Sequence, residues 1–244
     1  MFPGIGTIIN VVAIIVGAST GVLVGNRLNI KTRILLNDVL GLTTILGASL
    51  AVAPLWKADF ASAFPSGWPL LIVLGSLVIG GVIGSVLKLE EKLDSFGENL
   101  RKRFKASRES SFIEGFVSAS LLFAIGPLAI LGSISDGMST GIQQLLLKST
   151  LDFFAAMAFA SSLGWGVAAA AIPVGIYQGV WTLIGFFLGQ ILTTYQIETM
   201  SIVGGTMLIA IGLRLLNVKK IAVGNLLPAL AIAPVLALIV HSFL

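Results

Sequence analysis

The sequence predicts an all-α fold, a polytopic bundle of about eight transmembrane helices forming a single integral membrane domain over residues 1–244. Three observations predict it. Hydrophobic residues make up 56% of the 244 and charged residues only 11%, with a mean hydropathy of +1.02, whereas soluble domains carry about 25% charged residues. A chain this apolar cannot hide its surface by folding on itself, so the bilayer must cover it. The apolar residues also fall into runs close to the ~20 residues that cross a hydrocarbon core. Finally, the basic residues gather between those runs rather than within them.

The runs lie at 5–25, 35–56, 68–88, 112–134, 143–164, 168–192, 199–216 and 221–241. The first follows Met1-Phe2-Pro3-Gly4, which has no basic n-region and no small-residue cleavage site, and it is expected to be a retained span. The fifth and sixth are separated only by Gly164-Trp165-Gly166 and Pro173, and merging them would leave seven spans. Charge argues for eight. Segments 27–33, 88–108 and 214–220 hold 13 of the 15 Lys and Arg residues. With eight spans these segments share one side, which the positive-inside rule makes cytoplasmic, and both termini face outward. Within the charged loop 88–110, Leu89, Leu93, Phe96, Leu100 and Phe104 recur at helical spacing. That pattern predicts an amphipathic helix on the cytoplasmic leaflet, with Arg101, Lys102, Arg103, Lys105 and Arg108 toward anionic lipid. A solvated connector helix is the alternative.

Several functions are excluded. The net charge of +4 comes from loops flanking spans, which suits a membrane surface and not nucleic acid. The absence of cysteine rules out disulfides, thiolate metal sites and cysteine nucleophiles. His241 is the lone histidine, and one imidazole builds no zinc site. There is no Gly-x-Ser-x-Gly elbow and no His/Glu metal spacing. Neither enzymatic activity nor a cofactor is expected.

Three spans close on one pattern, Gly21-x-x-x-Gly25, Gly80-x-x-x-Gly84 and Gly185-x-x-x-Gly189, each followed by a polar residue, any residue and Leu. Inverted three-helix repeats would produce this, as would small-residue packing in any bundle. The same faces suit a homodimer.

Breakers, hydroxyls and charges concentrate between Phe123 and Asp152. Lys148 and Asp152 are four apart, hence on one helical face and able to pair, with Asp152 about 13 Å along the helix and near the bilayer centre. Either they form a buried pair that locks the bundle, or Asp152 is a proton or cation site with Lys148 as counter-charge or substrate anchor. Asp152 can also look across the bundle to Tyr177, Gln178 or Asn225. Gly126-Pro127 frees backbone carbonyls near Ser118, Ser120 and Ser133. It reads as a plain kink or as a place to coordinate a cation or polar solute. Asn225 with Pro228 forms a second candidate break, as a midplane site between repeats would require. Asp136-Gly137 is expected to form the outer turn after the fourth span and to cap the following helix. Asn10 reads as an interhelical hydrogen bond.

The run Gly126-Pro127-Leu128-Ala129-Ile130-Leu131-Gly132-Ser133, followed by Asp136-Gly137, resembles the bacterial inner-membrane proteins grouped as domain of unknown function 554, with YqgA-like and YdfK-like members. The resemblance continues through Lys148-Ser149, Leu151-Asp152, Tyr177-Gln178-Gly179, Gly204-Gly205, Gly212-Leu213 and the stretch from Gly224-Asn225 to Leu230. Ala124 stands where the family pattern has cysteine, and Phe153 where it has glycine. The resemblance implies a fold and no activity. The residues themselves suggest a small secondary transporter for a solute or ion, with Asp152, Lys148, Ser149, Gln178, Tyr177, Gly126, Pro127, Ser133, Asp136 and Asn225 as site candidates. A channel or a membrane scaffold is the alternative.

Overall fold

The computed structural model describes residues 2–25, 29–57, 60, 63–65, 67–103, 111–124, 127–189 and 191–243. Among them there is helix and no strand. The helices are α1 (Ile5–Gly25), α2 (Ile30–Val52), α3 (Trp68–Val86), α4 (Leu89–Arg103), α5 (Ser111–Ala124), α6 (Pro127–Gly137), α7 (Gln143–Leu163), the short α8 (Gly166–Ala169), α9 (Ala171–Leu188), α10 (Thr194–Leu215) and α11 (Pro228–Ser242). Among the described residues, seven spans are long and apolar enough to cross a membrane, eight if α5 and α6 count together.

The junction between the fifth and sixth runs is sharp. Gly164, at φ +75°, ends α7 by donating its N–H to the Ala160 carbonyl, and a separate span starts at Gly166. The fourth run instead comprises two helices, Ser111–Ala124 and Leu128–Gly137, inclined at 64°. Gly126 lies outside the described residues, as does the Pro127 side chain. The second expected break takes another form. Val223–Leu226 is a 3-10 turn, and Pro228 occupies the opening position of α11. Proline there lacks an N–H that would have been unpaired anyway, so it starts the helix instead of interrupting it.

The chain forms two compact units. The first comprises Met1–Leu40, Asp94–Ala124 and Leu128–Ile191, the second Gly41–Leu93, Ile125–Pro127 and Leu192–Leu244.

In the first unit, α1 and α7 run parallel with their backbones almost touching. A methyl group on Gly17, Gly21 or Gly25 would collide with the carbonyl oxygen of Phe153, Met157 or Ser161 respectively. Each partner pair is one helical turn beyond the last, so glycine at every fourth position lets the two helices approach. On its other side α1 meets α9 antiparallel, with Thr7 Oγ1 3.3 Å from Thr182 Oγ1 and Val11 against Gly175. Helix α5 begins where Gly166 presses on the Phe112 carbonyl, beyond the end of α7. Helix α6 finishes beside Gly6, at the start of α1.

In the second unit, the C-terminal half of α2 packs antiparallel on α10 through Gly205 and Gly212, while α3 meets Ala229 of α11 at Gly80 and Asn225 of the preceding 3-10 turn at Gly84. All three Gly-x-x-x-Gly motifs thus have a packing role, although Gly189 itself meets open space and ends α9 at φ +71°.

Helix α4 is helical as its pattern predicts, but its charged face is not all solvated. Glu90 turns inward, where its Oε1 accepts from Arg214 Nη1 at 2.9 Å and its Oε2 from the Gly224 N–H at 2.6 Å. Asn225 Oδ1 completes the joint by accepting the Glu90 N–H at 2.9 Å. Arg214 is therefore a buried partner of Glu90, not a loop charge. Lys102 lies exposed beside Glu98 at 3.9 Å. The side chains of Arg101 and Arg103, and residues Phe104, Lys105 and Arg108 entirely, lie outside the described residues.

Candidate functional site

Helix α7 carries Lys148 and Asp152 one turn apart, and the structure joins them. Lys148 Nζ lies 2.5 Å from Asp152 Oδ2, with side-chain exposures of 7% and 9%. Lys before Asp is the weaker order against the helix dipole, a matter of about 0.2–0.5 kcal/mol in a surface helix. Burial overrides that preference, since stranding one partner costs about 3–5 kcal/mol.

The same oxygen, Asp152 Oδ2, accepts a second hydrogen bond from Asn10 Nδ2 at 3.0 Å. Asn10 belongs on the glycine-lined face of α1, at helical spacing from Gly6 and Gly17. The close approach of α1 and α7 delivers its amide to the carboxylate. The cluster Lys148–Asp152–Asn10 is formally neutral and links the two helices at the level of the pair.

Asp136 plays a different part from the one its turn position suggests. It lies in the last turn of α6 and caps no following helix, since α7 has no side-chain cap. Its Oδ2 accepts instead from the backbone N–H groups of Gly6 at 3.0 Å and Thr7 at 3.4 Å. These are donors at the start of α1 that have no partner within their helix, and a carboxylate there also answers the helix dipole. Gly6 is required beneath it, because a Cβ at that position would meet Leu145 Cδ1 at 2.7 Å and Asp136 Oδ2 at 3.1 Å.

The hydroxyls divide into two groups. Ser149 donates to the Leu145 carbonyl at 2.6 Å and Ser120 to the Phe116 carbonyl at 2.5 Å, so both are spent within their own helices. Ser118 and Ser133 are buried, and their Oγ atoms have no partner among the described residues. Gln178 is the extreme case. It is 0% exposed, and neither Nε2 nor Oε1 finds a partner there. Tyr177, its neighbour, faces Trp181, with ring centroids 6.3 Å apart.

Of the predicted candidates, the structure thus brings Lys148 and Asp152 together and adds Asn10. Gln178, Ser133 and Asp136 belong to the same unit. Asn225 belongs to the other unit and serves the Glu90–Arg214 joint. Asn10 makes the interhelical hydrogen bond expected of it, with Asp152 as a partner the sequence did not name, whereas Glu90 was not singled out. The available signal for Asn10 was a lone amide on a glycine stripe. For Glu90 nothing distinguished it from Glu91 beside it, which stays exposed.

Comparison with known proteins agrees with this architecture. The family described as "Protein of unknown function (DUF554)" matches residues 5–238. The uncharacterized membrane protein YdfK of Bacillus subtilis is 31% identical over 239 residues, 98% of this chain and 97% of its own length. The uncharacterized protein YqgA of Escherichia coli is 33% identical over 233 residues, 94% of each chain. No solved structure matches. This multi-pass membrane protein belongs to the DUF554 family.

Proposed function

We propose that the protein is a small secondary transporter, or ion-coupled permease, of the bacterial cytoplasmic membrane, and that it is not an enzyme. The observation that carries this reading is the Lys148–Asp152–Asn10 cluster inside spanning helices. Ionisable groups at that depth cost about 2.5–3.5 kcal/mol each on insertion scales and mark ion and substrate pathways. Asp152 takes up the coupling proton or cation. Neutralising its carboxylate weakens its hold on Asn10 and leaves Lys148 uncompensated, which loosens α1 from α7 and frees the ammonium as an anchor for substrate.

The packing within each unit supports the eight-span topology. Helix α5 starts beside Gly166 and α6 ends beside Gly6, at opposite ends of α1, as one bent crossing requires. The Glu90–Arg214 bond holds the start of α4 and the end of α10 at one level, as basic segments sharing a side require. Under the positive-inside rule that side is cytoplasmic and both termini face outward. The basic end of α4 engages anionic lipid, and the chain pairs as a homodimer through a surface other than the Gly-x-x-x-Gly faces, which pack helices of the same chain.

A second reading has a specific observation in its favour. Asp152 is bonded to both Lys148 and Asn10, as a scaffold that staples α1 to α7 would need. The two readings separate in proteoliposomes assayed for uptake of protons, sodium, potassium and small polar solutes. Transport predicts flux in the wild type and its loss in a folded Asp152→Ala protein. Wild-type flux in Asp152→Ala would refute the role given to Asp152.

A further inference from the structure

The polar groups left over in the first unit have a definite location. Helices α1 and α9 are antiparallel, with Thr7 level with Thr182 and Val11 level with Gly175. Gln178 lies three residues beyond Gly175 and four before Thr182, and Asn10 lies between Thr7 and Val11. The register therefore sets Gln178 level with Asn10 on adjoining helices, and both are 0% exposed. They do not bond to each other. Asn10 spends its Nδ2 on Asp152 and keeps Oδ1 without a partner, while Gln178 has both Nε2 and Oε1 unpartnered among the described residues. Nearly all buried side-chain polar atoms in proteins are paired, because leaving one unpaired forfeits its hydration with nothing in return. Two buried amides at one level of adjoining helices, with three atoms unpartnered among the described residues, offer a recognition surface.

We propose that Asn10 and Gln178 form the specificity site for a small uncharged solute carrying a hydrogen-bond donor and acceptor side by side, in the manner of a primary amide. The inference rests on the transport reading for its purpose, and on the geometry alone for its chemistry. The neighbouring charges decide the class. Lys148 and Asp152 neutralise each other, and Asp136 is answered by the N–H groups of Gly6 and Thr7. While the Lys148–Asp152 pair is intact, as in the structure, no uncompensated charge among these groups faces the site, so in that state it has nothing with which to outbid water for an ion. A bare cation would use the two carbonyl oxygens and leave the Gln178 NH2 unsatisfied. An amide satisfies all three atoms: its carbonyl accepts from Gln178 Nε2 while its NH2 donates to Gln178 Oε1 and Asn10 Oδ1. A site built from buried amides also rejects solutes lacking the matching groups, since those would leave its own atoms unpaired.

The test is equilibrium binding, read as the rise in thermal unfolding temperature of the detergent-purified full chain. Acetamide is the amide probe, with N,N-dimethylacetamide, acetate, glycine and sodium chloride compared beside it. Binding to the folded form alone must raise the midpoint. The expected result is stabilisation by acetamide in preference to the other probes, with affinity falling about tenfold or more in Gln178→Met. Because Gln178→Met removes two buried polar atoms at nearly constant volume, the variant itself should stay folded. Asn10→Ala, which removes the other arm, provides a second reading if Gln178→Met does not fold. The inference is overturned if no probe raises the midpoint, as a structural water bridge alone would give. It is also overturned if sodium or a charged probe is preferred, or if both variants respond to acetamide like the wild type. Flux is measured separately, so acetamide binding without acetamide uptake would sustain this site and count against transport.

Discussion

Asp152 Oδ2 holds Lys148 at 2.5 Å and Asn10 at 3.0 Å, so one atom carries both the charge compensation of α7 and its tie to α1. Removing a single partner and removing the charged pair should therefore have opposite consequences. Lys148→Ala strands a buried carboxylate and should destabilise the protein by about 3–5 kcal/mol, whereas Lys148→Met with Asp152→Leu should leave stability within about 2 kcal/mol of wild type. Thermal unfolding of both variants checks this. The pair itself was legible in the sequence, because four-residue spacing on a helix is a local fact. For Asn10 an interhelical hydrogen bond was legible but its partner was not, because Asn10 and Asp152 are 142 positions apart and meet only through packing. Asp136 fails in the same way: its turn position suggested a local cap, and its partners are at the start of the chain. Its role can be measured too. Asp136→Ala removes the cap of α1 and should cost about 0.5–2 kcal/mol in the same assay.

Helices α1 and α7 can approach so closely because Gly17, Gly21 and Gly25 present bare backbone to Phe153, Met157 and Ser161. In a membrane such contact replaces the hydrophobic drive that lipid cannot supply between helices. Gly21→Leu must push the pair apart, which also withdraws Asn10 from Asp152. Its cost should exceed the roughly 1–3 kcal/mol of ordinary overpacking and appear as a lower unfolding midpoint. Helix α4 teaches a different lesson about elements. Its apolar spacing forecast the helix, yet the residue that fixes it is charged, with Glu90 and Arg214 only 12% and 8% exposed. Periodicity reports which face is apolar and cannot report that one acid on the other face meets an arginine 124 positions away. Glu90→Ala should strand Arg214, at about 3–5 kcal/mol, and expose α4 to protease added from its own side of the membrane.

For the molecule as a whole, composition and run length sufficed to read a helical membrane protein, because the bilayer imposes both. The number of crossings was harder. The doubt attached to Gly164-Trp165-Gly166 resolves into a clean helix end, and the ambiguous element is the bent α5–α6 pair. The proposed topology makes a direct prediction. Since the chain has no cysteine, Ser242→Cys creates a single thiol, which a membrane-impermeant maleimide should label from outside intact spheroplasts. Labelling only after permeabilisation would reverse the orientation.

Whether the buried Lys148–Asp152 pair belongs to a transport site can be read from osmotic reswelling of proteoliposomes in acetamide. The wild type is compared with the folded Lys148→Met, Asp152→Leu double variant and with protein-free vesicles. If the pair serves transport, wild-type vesicles reswell faster than protein-free ones, and the double variant, folded but without its pair, reswells no faster than bare lipid. A double variant that reswells as fast as wild type would contradict it. So would a wild type indistinguishable from bare lipid in acetamide and equally inert toward protons, sodium, potassium and other small polar solutes, and the pair would then be a structural lock between α1 and α7.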